Sequence, residues 1–272
     1  MTCLRRALLL LAALAAVVAC FAVARLVLDA LKNDRGTSTP RTAAMTEAPG
    51  AEGSTSHCRP GEARLGSNQI AYVALVRSEA TIYRGSGYRS ARVARLERLN
   101  ANGVVNALGV LAEVRGSDCR ALWYRVQLPL PPNGSSGYVR ASEVKIALVR
   151  TRIVVELSER RLTLFESGRR VMRARIGVGA AATPTPTGRF YVDQRFRLSD
   201  PSGPFGSAAL GLAAYSETLR GWPQGAPIAL HGTNDPVSIG GSASHGCIRL
   251  DEHDLERLFA LVSVGTPVRI VA

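Results

Sequence analysis

A cysteine and a histidine near the end of the sequence have the types and spacing of a nucleophile and its proton acceptor. Cys247 follows Gly246, which leaves space beside the thiol, and His231 lies sixteen residues upstream. A thiol attacks a carbonyl carbon as the thiolate, and a neighbouring imidazole stabilises that form and later protonates the leaving group. The carbonyl of Gly232 or a nearby hydroxyl can hold the imidazole in one tautomer. The pattern predicts nucleophilic catalysis by a cysteine.

Two other interpretations of these side chains are less favoured. A zinc ion would need His231, His245, Cys247 and His253 as ligands, and the His-x-Cys spacing strains a tetrahedral site. A structural thiol is expected in apolar sequence, whereas Cys247 is flanked by polar residues. Asp235 could serve as a triad acid, but it lies between Asn and Pro, where a turn is the expected role.

The elements that must position these residues are predicted to be strands, with one helix. Apolar runs bounded by turn residues predict strands over 153–157, 162–165, 171–178, 188–192, 227–231 and 267–271. The first two of these flank a Ser-Glu-Arg-Arg turn and are expected to form a hairpin. Residues 251–261 predict a helix that Asp251 caps, with Leu255, Leu258 and Phe259 on one face.

The loop motif, taken with a second motif upstream, closely resembles the active-site signature of L,D-transpeptidases of the YkuD type. The residues that carry the resemblance are His231-Gly232-Thr233 and Ser244-His245-Gly246-Cys247-Ile248-Arg249, preceded by Ile176-Gly177-Val178-Gly179 and Thr185-Pro186-Thr187-Gly188. It spans roughly residues 151–272, nearly half of the chain, and implies a β-rich sandwich with one short helix.

The resemblance also implies a role for each matching residue. Cys247 would be the nucleophile and His231 the general acid and base. Supporting or substrate-binding roles fall to His245, Ser244, Gly246, Gly232, Thr233 and Arg249. Of these, His245 would support the thiolate or the oxyanion region. Arg249 would bind a peptide carboxylate, for which its guanidinium is suited.

The implied reaction takes place on peptidoglycan stem peptides. Cys247 would attack the carbonyl of residue 3 of a tetrapeptide stem, release D-alanine and pass the acyl group to an amine of another stem, giving a 3→3 cross-link. Water as the acceptor would make a carboxypeptidase. A sortase-like transpeptidase and a non-catalytic wall-binding protein remain as alternatives. No metal or organic cofactor is implied, and carbapenem-type β-lactams are the expected covalent inhibitors.

Residues 58–148 predict a second, smaller domain made of short strands. Strands are predicted over 70–76, 80–83, 110–114 and 123–128, with a turn at 133–134 and a last strand beginning at Gly137. The order Trp-Tyr-x-Val, turn, Gly-Tyr-Val resembles bacterial SH3-like domains. The expected fold of the whole chain is therefore mostly β, a small SH3-like barrel followed by the catalytic sandwich at 151–272.

The first 32 residues predict a membrane-targeting segment. Residues 7–24 form an uncharged run of 18 residues after two arginines, which is about the shortest span for a bilayer. A retained signal anchor is favoured, and a signal cleaved after Ala24 or lipidation at Cys20 remain as alternatives. Each puts the rest of the chain outside the cytoplasm, in the cell envelope, with residues 33–57 as a flexible linker.

The predicted export of the chain decides how its five cysteines and its positive net charge are interpreted. Cys58 and Cys119 bracket the middle domain and are candidates for a disulfide in an oxidising compartment. The formal net charge is +13, and residues 59–150 contribute most of it, with 14 basic against 6 acidic side chains. A basic surface favours anionic partners such as acidic wall polymer or anionic lipid. No nucleic-acid-binding motif accompanies it, so nucleic acid is not an expected partner.

Overall fold

A computed structural model describes residues 59–272 apart from Arg220 and Trp222. The predicted membrane segment, the linker and Cys58 lie outside the described residues. Within the described part, no helix is long and apolar enough to cross a membrane. The described residues form two eight-stranded sheets and one two-stranded ribbon. The part built on the first sheet, residues 61–149, is called the first lobe below, and the part at 151–271 the second lobe.

The first lobe is an antiparallel sheet in the order β4-β3-β7-β6-β5-β2-β8, with β1 paired to β5. Its buried side chains include Ile82, Leu108 and Val126. Its strands are β1 (Gly61–Arg64), β2 (Ala71–Val76), β3 (Glu79–Tyr83), β4 (Arg92–Glu97), β5 (Ala107–Arg115), β6 (Ala121–Gln127), β7 (Ser136–Arg140) and β8 (Val144–Val149).

Every strand predicted for this lobe has a counterpart, with one correction. The strand that begins near Gly137, β7, is not the last, because β8 follows it and pairs with β2. Strands β1 and β4 were not predicted, since their side chains are largely exposed and polar and carry no apolar run. The SH3-like assignment and the domain boundaries stay predictions. Cys119 is disulfide-bonded, and its pairing with Cys58 also stays a prediction.

The second lobe is a mixed sheet in the order β11-β10-β9-β18-β13-β14-β15-β17, beside a ribbon of β12 and β16. Three pairs are parallel, β9 with β18 and β15 with β17 in the sheet, and β12 with β16 in the ribbon. The elements are β9 (Thr151–Glu156), β10 (Arg161–Glu166), β11 (Arg169–Arg175), β12 (Val178–Gly179), β13 (Gly188–Arg197), β14 (Ala208–Tyr215), β15 (Pro227–His231), β16 (Ser242–Ser244), β17 (Ile248–Arg249), α1 (Glu252–Leu261) and β18 (Pro267–Val271).

Helix α1 is the single α-helix among the described residues, so the mostly β class with one short helix is confirmed. Asp251 caps it as predicted, because its side chain accepts a hydrogen bond of 2.9 Å from the Asp254 N–H. Leu255, Leu258 and Phe259 are buried against the inner face of the sheet. The helix therefore closes the core over the strands that carry the site.

The predicted strand at 171–178 is wrong in its second half. Strand β11 ends at Arg175, and Val178 and Gly179 pair with β16 instead. Gly177 exchanges two main-chain hydrogen bonds of 2.9 Å with Arg249, which holds this part of the chain beside β17. A Cβ at Gly177 would lie 2.6 Å from the Ser238 carbonyl oxygen, so this approach requires glycine. Strand β14 was not predicted.

The two lobes meet through polar contacts on the outer face of β13 and β14. The Tyr191 hydroxyl lies 3.0 Å from the Ala107 carbonyl oxygen and 3.3 Å from that of Gln127. The Tyr215 hydroxyl donates to the Pro129 carbonyl at 2.5 Å. In return, the Gln127 side-chain amide donates to the Arg189 carbonyl at 2.8 Å. These bonds fix the first lobe against β13 and β14 of the second.

Candidate active site

Two neighbouring parallel strands bring the cysteine and the histidine together. His231 ends β15 and Cys247 directly precedes β17, with His231 in register with Arg249 and Leu230 with Ile248. The same register sets Cys247 opposite Ala229, whose backbone hydrogen-bonds the thiol. With about 3.3 Å per residue along a strand and about 4.8 Å between strands, the two Cα atoms lie roughly 8 Å apart. Their side chains can span that distance.

His231 is held in one tautomer by the carbonyl next to it. Its Nδ1 atom lies 2.5 Å from the Gly232 carbonyl oxygen, and the side chain is only 3% exposed. A carbonyl can only accept, so Nδ1 carries the proton and Nε2 presents its lone pair. The sequence offered the Gly232 carbonyl as one candidate for this role, and the geometry agrees with it.

Burial shapes the protonation of both groups. It lowers the pKa of His231 to about 4, an effect that the Gly232 hydrogen bond opposes and the Arg249 charge reinforces. Burial also raises the pKa of the Cys247 thiol, although the Ala229 backbone and Arg249 lower it in part. At neutral pH the site therefore rests as a neutral thiol beside a neutral imidazole. His231 is then ready to accept a proton.

Hydrogen bonds within the loop fix the backbone around the cysteine. The Ser244 hydroxyl donates to the Cys247 carbonyl at 2.5 Å and accepts from the Gly246 N–H at 3.1 Å. Gly246 has a φ of +111°, and a Cβ there would lie 2.8 Å from Ile228 Cδ1. The glycine before Cys247 is therefore needed for its backbone conformation as well as for its small size.

Thr185 connects this loop to the ribbon beside it. Its hydroxyl accepts from the Gly179 N–H at 2.9 Å and donates to the Gly246 carbonyl at 2.8 Å. The side chain is 4% exposed. The sequence drew attention to Thr-Pro-Thr-Gly through the resemblance alone, without assigning Thr185 a role. In the structure Thr185 is a positioning residue for the segment that presents Cys247.

The other predicted site residues lie at the periphery. Arg249 is half-buried, and its guanidinium is 3.8 Å from the Asp235 carboxylate, so it already has an acidic neighbour. Thr233 caps the following turn, accepting from the Asp235 N–H at 3.0 Å. The side chain of His245 is exposed to solvent. The structure thus brings His231 and Cys247 together and leaves the roles of His245 and Arg249 untested.

One aromatic neighbour of the histidine was missed from the sequence. The Phe205 ring meets the His231 ring edge-on, with centroids 5.0 Å apart and planes at 72°. Phe205 is 41% exposed, which is high for a phenylalanine. It lies in the loop between β13 and β14, where Gly, Ser and Pro gave no signal of a contact with residue 231. The ring covers one side of the imidazole and borders solvent.

The candidate zinc ligands of the sequence analysis include His231 and Cys247. Within the described part of the chain, the group with the spacing of metal ligands is Asp251, His253 and Asp254, which includes neither His231 nor Cys247. The Asp251 carboxylate accepts from the Asp254 backbone N–H at the start of α1. Cys247 is free of any disulfide.

Comparison with known proteins gives a match for the second lobe. Residues 150–270 match the model of the YkuD family, an L,D-transpeptidase catalytic domain. The putative L,D-transpeptidase YkuD of Bacillus subtilis is 38% identical over 118 residues, which cover 43% of this chain and 64% of the relative. The probable L,D-transpeptidase ErfK/SrfK of Salmonella typhimurium is 30% identical over 161 residues, covering 54% and 52%.

A solved L,D-transpeptidase from Enterococcus faecium is 23% identical, with a TM-score of 0.37 over 44% of this chain and 49% of that one. The chain spans between about half and two thirds of the length of the two curated relatives. The family match covers the second lobe, and the first lobe lies outside it.

Proposed function

We propose, from the L,D-transpeptidase catalytic domain that residues 150–270 match, that this chain is a peptidoglycan L,D-transpeptidase with Cys247 as its nucleophile. The observation that carries the assignment of roles is the contact of 2.5 Å between His231 Nδ1 and the Gly232 carbonyl. It leaves Nε2 unprotonated on a side chain whose pKa lies near 4, on the strand beside the cysteine. A base in this state can take the thiol proton during attack.

The first half-reaction forms a thioester. The Cys247 proton moves to His231 Nε2 while Sγ bonds to the carbonyl carbon of residue 3 of a tetrapeptide stem. The tetrahedral intermediate collapses, the bond to the terminal D-alanine breaks, and the imidazolium returns the proton to the leaving amine. Free D-alanine departs, and Cys247 holds the acyl group. The Gly232 carbonyl stabilises the imidazolium while it exists, because it accepts from Nδ1 throughout.

The second half-reaction transfers the acyl group. An amine on the side chain of another stem attacks the thioester carbonyl and loses a proton to His231 Nε2. The C–S bond then breaks and the proton returns to Sγ, so the enzyme is regenerated and a 3→3 cross-link is formed. The two half-reactions use the same atoms in reverse order, which is why one base is sufficient for both.

Three further parts of the proposal rest on the sequence. The apolar residues 7–24 support an extracytoplasmic location, membrane-anchored or secreted. The SH3-like resemblance of residues 58–148 supports a role of the first lobe at the wall. Covalent inhibition by carbapenem-type β-lactams follows from the same thioester chemistry, because their strained carbonyl would acylate Cys247.

The test is a product assay with the full chain in detergent. A disaccharide-tetrapeptide is incubated with the wild type, Cys247→Ala, His231→Gln and His253→Gln, and the products are weighed by mass spectrometry. We expect D-alanine and a cross-linked dimer with the wild type and with His253→Gln, whose side chain is 88% exposed and remote from the reaction. Cys247→Ala should give neither product, and His231→Gln should be slower by about 10² or more.

Two results would overturn the proposal. If Cys247→Ala forms the dimer at the wild-type rate, the nucleophile is another residue. If the wild type releases no D-alanine and a carbapenem adds no mass to Cys247, the chain is not an acyl-transferring enzyme. Release of D-alanine without a dimer would retain the acyl-enzyme and replace the amine by water as the acceptor.

A further inference from the structure

The outer face of the second lobe carries a group of arginines that the proposed reaction does not use. Cross-strand register aligns Arg173, Thr163, Val154, Arg269 and Arg189 in one row across five strands. A second row holds Arg170, Phe165 and Arg152. At about 4.8 Å per strand, the first row extends roughly 19 Å. The five arginines of these two rows are called the arginine face.

Among the described residues, the arginines of the face have no acidic partner. Two carboxylates in this part of the chain, Glu156 and Glu159, both pair with Arg161. None of the five arginines of the face has a carboxylate within salt-bridge distance in the same part of the chain. Four of them are exposed at the surface, and Arg152 packs its guanidinium over the Phe165 ring at 4.4 Å.

Charge is segregated within this lobe. Residues 151–272 contain 14 basic and 11 acidic side chains, a nearly balanced composition. Four of the acidic ones lie at α1, which packs on the opposite, inner side of the sheet: Asp251, Glu252, Asp254 and Glu256. A domain whose total charge is nearly balanced still attracts anions at a face where positive side chains predominate.

The face is recessed at its centre. A cleft of about 220 Å³ lies between Arg161, Arg170 and Arg173, with Thr163 at its floor. The Glu156 carboxylate also lines it and is paired with Arg161, so Arg170 and Arg173 are the charges left for a ligand. Thr163 is 5% exposed, because the long side chains around it project further from the sheet. A flat lipid surface would contact the outer guanidiniums and leave the cleft empty. A flexible chain can enter it, and guanidinium forks suit carboxylate and phosphate groups.

We infer that the arginine face binds a linear polyanion, a polymer whose repeating charges are carboxylate or phosphate groups. Charges along the polymer would meet Arg173 at one end of the row and Arg269 and Arg189 at the other. The cleft would hold one anionic group above Thr163. The inference goes beyond the proposed catalytic function and does not depend on it, since the arginine face is built on β9, β10, β11, β13 and β18, whereas His231 and Cys247 lie at β15 and β17.

The test measures binding alone, with the full chain in detergent at low ionic strength. The probes are inorganic polyphosphate and poly-L-glutamate, followed by fluorescence anisotropy, with vesicles containing phosphatidylglycerol as a third arm. The variant is Arg170→Glu/Arg173→Glu, in which both side chains are exposed. The matched control is Arg84→Glu/Arg98→Glu, which makes the same charge change at exposed positions of the first lobe.

We expect the wild type to bind at least one polymer and the Arg170→Glu/Arg173→Glu variant to bind it about tenfold more weakly or worse, with the control within about threefold of the wild type. The polymer bound more tightly identifies phosphate or carboxylate as the preferred group. Equal losses in both variants, no polymer binding, or binding of vesicles alone would overturn the inference. Unchanged unfolding curves for both variants ensure that any loss reports on the arginine face.

Discussion

Thr185 lies between the ribbon and the catalytic loop, and Thr185→Val removes its hydroxyl without changing the shape of the side chain. The substitution leaves the Gly179 N–H and the Gly246 carbonyl without their partner in a site that is 4% exposed. Each buried polar group left unpaired costs about 1–3 kcal/mol, so we expect a loss of about 3 kcal/mol in the free energy of unfolding. Since Gly246 precedes the nucleophile, kcat/KM should fall by about tenfold to a hundredfold.

Two companion variants separate positioning from stability. Thr185→Ser retains the hydroxyl and should recover most of the activity. Thr151→Val breaks the buried hydroxyl pair of 2.6 Å with Thr266, between the start of β9 and the residue before β18, and should lower stability while leaving kcat/KM unchanged. Chemical denaturation and D-alanine release measure the two quantities. Full activity and unchanged stability of Thr185→Val would refute the reasoning, as would an equal loss of activity in Thr151→Val.

Three further outcomes follow from buried groups. With the pKa of His231 lowered to about 4, the acylation rate should stay level from pH 7 down to about 5.5, and a fall centred near 6.5 would contradict the neutral resting state. Burial raises the pKa of Asp193 to about 7, so this carboxyl favours folding at low pH and loses that contribution as the pH rises from about 4 through 7. Denaturation is then measured at pH 4 and at pH 8. Asp193→Asn should stabilise the protein more at pH 8 than at pH 4, by no more than about 4 kcal/mol. An equal effect of the substitution at both pH values would refute the raised pKa of Asp193. Gly109→Ala would put a Cβ 2.8 Å from Cδ1 of the Tyr191 ring, whose hydroxyl is hydrogen-bonded. Thermal unfolding should therefore reveal a loss of about 1–3 kcal/mol in the free energy of unfolding. An unchanged Tm would show that the lobes can shift to accommodate the methyl group.

Much of the second lobe could be predicted because local signals and tertiary structure agree there. Strand β15 matches its predicted range, since Pro227 begins the apolar run and Gly232 ends it. The helix followed from the Asp251 cap and its apolar face. Strand β14 has no such signal. Its alanines and glycine owe their extended conformation to pairing with β13 and β15, which the sequence of the segment does not encode.

Within the site, too, features with a local sequence signal could be predicted and long-range contacts could not. The types and spacing of His231 and Cys247 predicted their chemistry, but not the contact between their strands. Strand β17 is only two residues long, too short for a periodic pattern, and its parallel pairing with β15 is a long-range event. The Phe205 contact was equally invisible, because a loop residue acquires its neighbours from the fold of the whole lobe.

The contact between the lobes has a consequence for how such a protein can change over generations. Tyr191 and Tyr215 hydrogen-bond to main-chain oxygens at Ala107, Gln127 and Pro129, and a carbonyl is present whatever the side chain. Mutations at those three positions can accumulate without breaking these bonds, provided that strand register is retained, whereas loss of either tyrosine removes a donor outright. An alignment of related two-lobed chains should therefore show variable residues at these three positions of the first lobe and invariant tyrosines at the two positions of the second.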